Sequence, residues 1–132
     1  MRDSDNVFHL AIPCRDLDET ERFYTDLGCR VARRYPDRIT LDFFGDQVVC
    51  HLAPDKIDPE PEPYPRHFGI TFRRKADFDD TLQLARNIGL TFFKDPFVRF
   101  DGQPEAHHSF MLVDPANNLL EFKSYRDPKM MY

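Results

Sequence analysis

Hydrophobic and polar residues alternate in a short segment near the N-terminus. Successive side chains point to opposite faces of a β-strand, so the alternation over residues 7–12 predicts a strand. Its apolar residues would lie against a helix, which leaves His9 and Ala11 together on the other face. Pro13 is expected to end this strand.

The next segment has apolar residues at helical spacing. Asp16 and Glu19 stand three residues apart, as in a capping box at the start of a helix. Gly28 is placed to end that helix near residue 27. Three further strands are predicted, each separated from the next by a turn: 29–35, 38–44 and 47–52.

The second half of the chain repeats this order of elements. A strand is predicted at 67–72 and a helix at 77–88, followed by Gly89. Three strands complete the second half: 90–94, 109–113 and 118–124. We expect residues 95–108 to form a long loop that carries His107, His108 and Arg99, and loops of this length are often functional.

The repeat also extends to individual residues. His67 matches His9 at an offset of 58, and Asp77 matches Asp16 at an offset of 61. Glu121 is matched with His51 at an offset of 70. Such self-similarity predicts one folding unit used twice.

The predicted architecture is α+β and consists of two βαβββ modules in a single domain, residues 1–132. The first module covers about 7–53 and the second about 66–125. A proline-rich linker, 54–65, joins them, and we expect it to be extended and rather stiff.

Composition excludes several classes of function. The net charge is −5, with no basic cluster among aromatic residues, so nucleic acid is not an expected partner. The sequence contains no run of 18 apolar residues, the length that a membrane-spanning helix requires. Residues 1–5 lack the apolar region of a secretory signal. The three cysteines show no metal-binding spacing, which indicates reduced thiols and a cytoplasmic location.

Four residues with metal-binding side chains occupy matched places in the repeat: His9, His51, His67 and Glu121. If a pseudo-twofold axis relates the two modules and their sheets curve around it, all four point toward a common centre. Imidazole and carboxylate ligands with open positions suit Fe²⁺, Mn²⁺, Ni²⁺ or Zn²⁺. The repeat therefore predicts a divalent-metal site. The alternative is four unrelated polar residues on strands.

Three motifs resemble the vicinal oxygen chelate superfamily, which includes glyoxalase I, bleomycin and fosfomycin resistance proteins and extradiol dioxygenases. They are His9-Leu-Ala-Ile-Pro with the Arg15-Asp-Leu and Arg22-Phe-Tyr segments that follow it, His67-Phe-Gly-Ile, and Asp114-Pro-Ala-Asn-Asn-Leu-Leu-Glu-Phe. The resemblance implies a barrel-like cleft around a divalent metal. It implies ligands at His9, His67 and Glu121, with His51 at a fourth position that the glyoxalase branch uses.

The number of ligands separates two reactions. Four protein ligands leave two positions on a six-coordinate metal, enough for a chelated α-hydroxycarbonyl, and favour a glyoxalase-type isomerase or lyase. Glu121 or His108 would then be the catalytic base. Three protein ligands leave room for a catecholate and dioxygen, and favour an extradiol ring-cleaving dioxygenase. Because the repeat matches His51 with Glu121, the four-ligand site and the isomerase or lyase are narrowly preferred.

Neither branch is matched at every position. Met111 stands where extradiol dioxygenases usually have Tyr, and Tyr64-Pro-Arg replaces the glycine-rich approach to the second histidine of glyoxalase I. A third possibility is a non-enzymatic antibiotic- or metabolite-binding protein. We expect a small-molecule ligand and, by resemblance, a homodimer. Arg99 is a candidate partner for a substrate carboxylate, and Lys123 is expected on the face of Glu121.

Overall fold

The computed structural model describes residues 5–132, which form two helices and eight strands. The first set of elements is β1 (His9–Cys14), α1 (Leu17–Asp26), β2 (Arg30–Tyr35), β3 (Arg38–Phe43) and β4 (Asp46–Leu52). The second set is β5 (Phe68–Thr71), α2 (Lys75–Ile88), β6 (Phe92–Arg99), β7 (His107–Val113) and β8 (Leu119–Tyr125). Short 3₁₀ turns occur at Pro54–Lys56 and Pro128–Met131. The predicted α+β class with two βαβββ modules is confirmed.

Each module forms a four-stranded mixed sheet with the same strand order. The orders are β1-β4-β3-β2 and β5-β8-β7-β6. In both sheets the first strand runs parallel to the last strand of its module, and the other pairs are antiparallel. The chain divides into two compact units: the residues up to Glu60 together with Pro115–Asn118, and the segments Pro61–Asp114 and Leu119–Tyr132.

The core of each unit lies between its helix and one face of its sheet. In the first unit Tyr24 of α1 packs edge-on against Phe43 of β3. In the second unit Phe78 of α2 packs against Phe110, which stacks on Phe122. Because apolar side chains occupy the helix-facing side, the polar residues that alternate with them lie on the opposite face.

Strand β1 continues through Pro13 to Cys14, so the expected end of this strand at Pro13 is wrong. Pro13 pairs with His51 of β4. β1 is an edge strand, where the missing N–H of proline removes no hydrogen bond from a second neighbour.

Half of the predicted loop 95–108 is strand. β6 extends to Arg99 and β7 begins at His107, so only the connection 100–106 lies between them. β6 is an edge strand with register shifts between Phe92 and Lys94 and between Lys94 and Phe97. These irregularities accommodate Pro96 within the strand.

In the described part of the chain, no helix is long and apolar enough to cross a membrane. The expectation that no secretory signal is present rests on residues 1–5, the first four of which lie outside the described residues. The three cysteines are free and buried, as expected for reduced thiols.

Candidate metal and substrate site

The second unit brings His67 and Glu121 into direct contact. The Nε2 atom of His67 lies 2.9 Å from Oε2 of Glu121. His67 immediately precedes β5, and Glu121 is on β8, the parallel neighbour of β5. Gly69 pairs with Glu121, and a Cβ atom on Gly69 would lie 1.7 Å from the Glu121 carbonyl oxygen. The absence of a side chain at Gly69 therefore allows the close approach that joins the two residues.

Two hydrogen bonds hold this pair in place. Nδ1 of His67 donates to the backbone carbonyl of Pro63 at 2.5 Å, since a carbonyl oxygen can only accept. That bond directs Nε2 toward Glu121. The Ser109 hydroxyl donates to Oε1 of Glu121 at 2.7 Å, and both residues are buried. The imidazole and the carboxylate are thus each oriented by a partner, as metal-binding side chains commonly are.

Ser109 was not identified from the sequence. It pairs with Lys123 of β8, two residues beyond Glu121, so both lie on the face that carries Glu121. Alternation along the two strands could have placed it there, but only with their register known. The expected position of Lys123 on the Glu121 face agrees with the same register.

Tyr64 and Arg99 extend the site beyond His67. The ring of Tyr64 packs edge-on against the His67 ring, with centroids 5.5 Å apart. Arg99 donates a hydrogen bond to the Tyr64 hydroxyl, and its guanidinium lies 4.6 Å from the Tyr64 ring centroid. Arg99 belongs to β6 rather than to the expected loop.

His9 and His51 lie on the face of the first sheet that points away from α1. His9 pairs with Gln47 and donates from Nδ1 to its side-chain oxygen at 2.7 Å. His51 pairs with Pro13, four residues further along the strands. At about 3.3 Å per residue, His9 and His51 are about 13 Å apart along the sheet. Both are exposed, and the first unit by itself does not bring them together.

Strand register corrects the match between His51 and Glu121. Gly69, the counterpart of Ala11, pairs with Glu121, whereas Ala11 pairs with Val49. Val49 is therefore the structural equivalent of Glu121, and the offset is 72 rather than 70. His51 corresponds instead to Lys123. The residue matching on which the fourth ligand depended is wrong by two positions, because the loops before β4 and β8 differ in length.

His108 lies on the opposite side of the second sheet from Glu121. Its ring is 6.3 Å from that of Phe78, which belongs to the core beneath α2. Partial burial, together with the charges of Lys75 and Arg126, lowers the pKa of His108 below its ordinary value of 6.5. This placement argues against His108 as a base that acts beside Glu121.

The spacing between His67 and Glu121 suits two ligands of one metal ion. Among residues 5–132, no group of three or more His, Cys, Asp or Glu side chains is arranged to hold a metal ion. Two ligand atoms at right angles around one ion, each about 2.1 Å from it, are about 3 Å apart. The 2.9 Å between Nε2 and Oε2 matches that spacing. Further ligands would have to be added to this pair.

Comparison with known proteins supports the relation suggested by the motifs. Residues 6–122 match the sequence model described as the Glyoxalase/Bleomycin resistance protein/Dioxygenase superfamily. A glyoxalase domain-containing protein, RDO1 of Mycosarcoma maydis, is 30% identical over 92% of this chain and 69% of its own length.

Solved structures show the same fold. A glyoxalase/bleomycin resistance protein/dioxygenase from Alicyclobacillus acidocaldarius is 62% identical, with a TM-score of 0.96 over 100% of both chains. The fosfomycin resistance protein FosX from Listeria monocytogenes is 14% identical, with a TM-score of 0.73 over 96% of this chain and 98% of its own. At that identity, the likeness to FosX concerns the fold alone.

Proposed function

The chain belongs to the glyoxalase/bleomycin resistance protein/dioxygenase superfamily, and on that premise we propose that it is a divalent-metal-dependent enzyme acting on a small molecule. The observation that carries the proposal is the contact between His67 and Glu121 at 2.9 Å, with each side chain oriented by its own hydrogen bond. His67 and Glu121 would hold the metal, and His9 is proposed as the third ligand.

The donor set indicates which chemistry such a site supplies. A bound divalent cation would act as a Lewis acid toward a substrate that chelates it through two neighbouring oxygens. The protein's own part is to orient the His67 imidazole through its bond to the Pro63 carbonyl and the Glu121 carboxylate through its bond from Ser109.

The register of β4 and β8 bears on the reaction. Val49, an apolar residue, stands where a fourth ligand equivalent to Glu121 would be. A three-ligand site of two imidazoles and one carboxylate suits Fe²⁺ or Mn²⁺. This removes the reason for preferring the glyoxalase-type isomerase or lyase, and it favours an extradiol ring-cleaving dioxygenase.

The positions of the two candidate bases, Glu121 and His108, also favour the dioxygenase. Glu121 accepts a hydrogen bond from the buried Ser109, which supports the role of a fixed ligand over that of a mobile base. His108 faces α2. Proton transfer next to a chelated carbonyl therefore remains the second candidate, with Glu121 as its base and His51 as an additional ligand.

Metal titration tests the proposal as a whole. Calorimetry with Mn²⁺, Zn²⁺ or anaerobic Fe²⁺ should show one site per chain, weakened at least about 100-fold by His67→Ala or Glu121→Gln. Glu105→Gln is the matched control, since the Glu105 side chain is not among the proposed ligands. Unchanged affinity in both site variants would contradict the metal site.

Two further measurements separate the reactions. His51→Ala should leave metal affinity unchanged for the three-ligand site and weaken it for the four-ligand site. The Fe²⁺- or Mn²⁺-loaded protein should consume dioxygen with catechols if it cleaves rings. Conversion of the methylglyoxal–glutathione hemithioacetal would instead support the isomerase or lyase. Strong metal-independent ligand binding without turnover would indicate an antibiotic- or metabolite-binding protein.

A homodimer and a cytoplasmic location are also proposed. The first rests on the resemblance to the superfamily, and the second on three free cysteines. Light scattering of the purified protein measures the mass in solution, and a monomer at micromolar concentration would contradict the dimer.

A further inference from the structure

Arg99 and Tyr64 contact each other over the face of the second sheet that carries Glu121. β5 and β6 are the opposite edges of this sheet. Tyr64 precedes β5 and contacts His67, yet its hydroxyl accepts a hydrogen bond from Arg99 on β6. Arg99 pairs with His107, which shares the Glu121 face. The contact between Tyr64 and Arg99 is therefore made over that face.

The charge of Arg99 has no carboxylate partner among residues 5–132. Its guanidinium lies between aromatic rings, 4.6 Å from the centroid of Tyr64 and 4.8 Å from that of Phe100. Several other arginines of the chain pair with carboxylates: Arg15, Arg30, Arg34, Arg38, Arg74 and Arg126. A half-buried guanidinium presents five N–H donors, and one of these goes to Tyr64. The others fit the two oxygens of a carboxylate.

Lys123 adds a second cation on the same face. It lies two residues beyond Glu121 on β8, which is about 7 Å along the strand. Its ammonium is 5.4 Å from the ring centroid of Tyr125 and makes no ion pair within the described chain. The Tyr64 hydroxyl accepts from Arg99, so its own proton is free to donate to an anion.

We propose that the substrate of the His67–Glu121 site carries a carboxylate, and that Arg99, Lys123 and the Tyr64 hydroxyl bind it. This inference rests on the proposed metal-dependent function. It narrows the substrate class to molecules with two chelating oxygens at one end and an anionic group at the other. Arg99 and Lys123 set specificity.

A matched pair of ligands tests the proposal. Catechol and 3,4-dihydroxybenzoate share the chelating diol and differ by the carboxylate. In anaerobic calorimetry with the Zn²⁺-loaded protein, 3,4-dihydroxybenzoate should bind at least about tenfold more tightly than catechol. Arg99→Gln and Lys123→Gln should each reduce this ratio by weakening the binding of 3,4-dihydroxybenzoate. Arg86→Gln, on the exposed last turn of α2, should preserve the ratio.

Benzoate with the metal-free protein separates this inference from the proposed function. Benzoate should shift the ring resonances of Tyr64 and Tyr125 in nuclear magnetic resonance spectra, and the shifts should be lost in the Arg99→Gln/Lys123→Gln double variant. If Zn²⁺ does not bind but benzoate causes these shifts, the metal site fails and the carboxylate site stands. If Zn²⁺ and catechol bind while benzoate causes no shift, or the two ligands bind equally, the carboxylate site is overturned.

Discussion

The backbone carbonyl oxygen of Glu121 occupies space that a side chain on Gly69 would need. A Cβ atom there would lie 1.7 Å from this oxygen, so β5 and β8 approach each other only because residue 69 is glycine. The contact between His67 and Glu121 is made at this point of close approach.

Gly69→Ala should therefore destabilise the protein by about 1–3 kcal/mol or more, because the clash is with backbone and cannot be relieved by a rotamer change. Urea denaturation followed by circular dichroism measures the loss. Thr71→Ala, on the same strand, is the control and should cost less. Equal stability of Gly69→Ala and the unmodified protein would contradict the described approach of β5 and β8.

Ser109→Ala should weaken metal binding about 10- to 100-fold, because Glu121 loses the hydrogen bond that orients it. The buried carboxylate oxygen left without its donor should also reduce the free energy of unfolding by about 1–3 kcal/mol. Ser124→Ala changes a buried serine of β8 on the opposite face and should leave metal affinity unaltered. Equal effects of the two substitutions would rule out a specific role for Ser109.

His108 should be less protonated than an ordinary histidine at the same pH. Its pKa is lowered, first by burial and then by the charges of Lys75 and Arg126. The unfolded chain therefore takes up this proton before the folded chain does, so stability falls as the pH drops below 6.5. Nuclear magnetic resonance titration of the His108 ring should show the lowered pKa, and Lys75→Met should raise it. A midpoint at or above 6.5 in the unmodified protein would contradict the described environment.

Cys29 should be almost inert toward alkylation at pH 9. Burial, aided by the charge of Asp42, raises its pKa from 9.0 to about 12. At pH 9 only about one Cys29 side chain in a thousand is therefore a thiolate. Because the folded state holds this proton more tightly, its contribution to stability is complete below pH 9 and is lost as the pH rises toward 12. Iodoacetamide labelling followed by peptide mapping compares the alkylation rate of Cys29 in the native protein with that in the urea-unfolded protein. Rapid labelling of native Cys29 would contradict its burial.

Asp16 and Asp77 match in the sequence but should differ in their effect on stability. Asp16 caps α1, since its side chain accepts from the backbone N–H of Glu19 at 2.9 Å. Asp16→Ala should cost about 1 kcal/mol in urea denaturation. Asp77 lies inside α2, whose N-cap is Arg74, and its carboxylate pairs with that arginine on the surface. Asp77→Ala should cost less, and an equal or larger loss would contradict this assignment.

Local patterns in the sequence were sufficient to predict the repeated unit and the face on which its histidines lie. Alternation placed His9 away from the helix, and Asp16 and Gly89 lie at the predicted helix ends. These features depend on residues close together in the chain, where strand alternation and helix capping act. Strand β6 was predicted at 90–94, but its continuation from Asp95 to Arg99 was missed, because Pro96 is tolerated in this edge strand.

Strand pairing decided the rest of the site. The sequence alone matched His51 with Glu121, whereas the register makes Val49 the equivalent residue, because the loops before β4 and β8 differ in length. The positions of Ser109 and Tyr64 likewise follow from contacts between segments distant in sequence. The duplication of one folding unit determines which residue types recur in the sequence. Only the hydrogen-bonded register between strands determines which of their side chains meet.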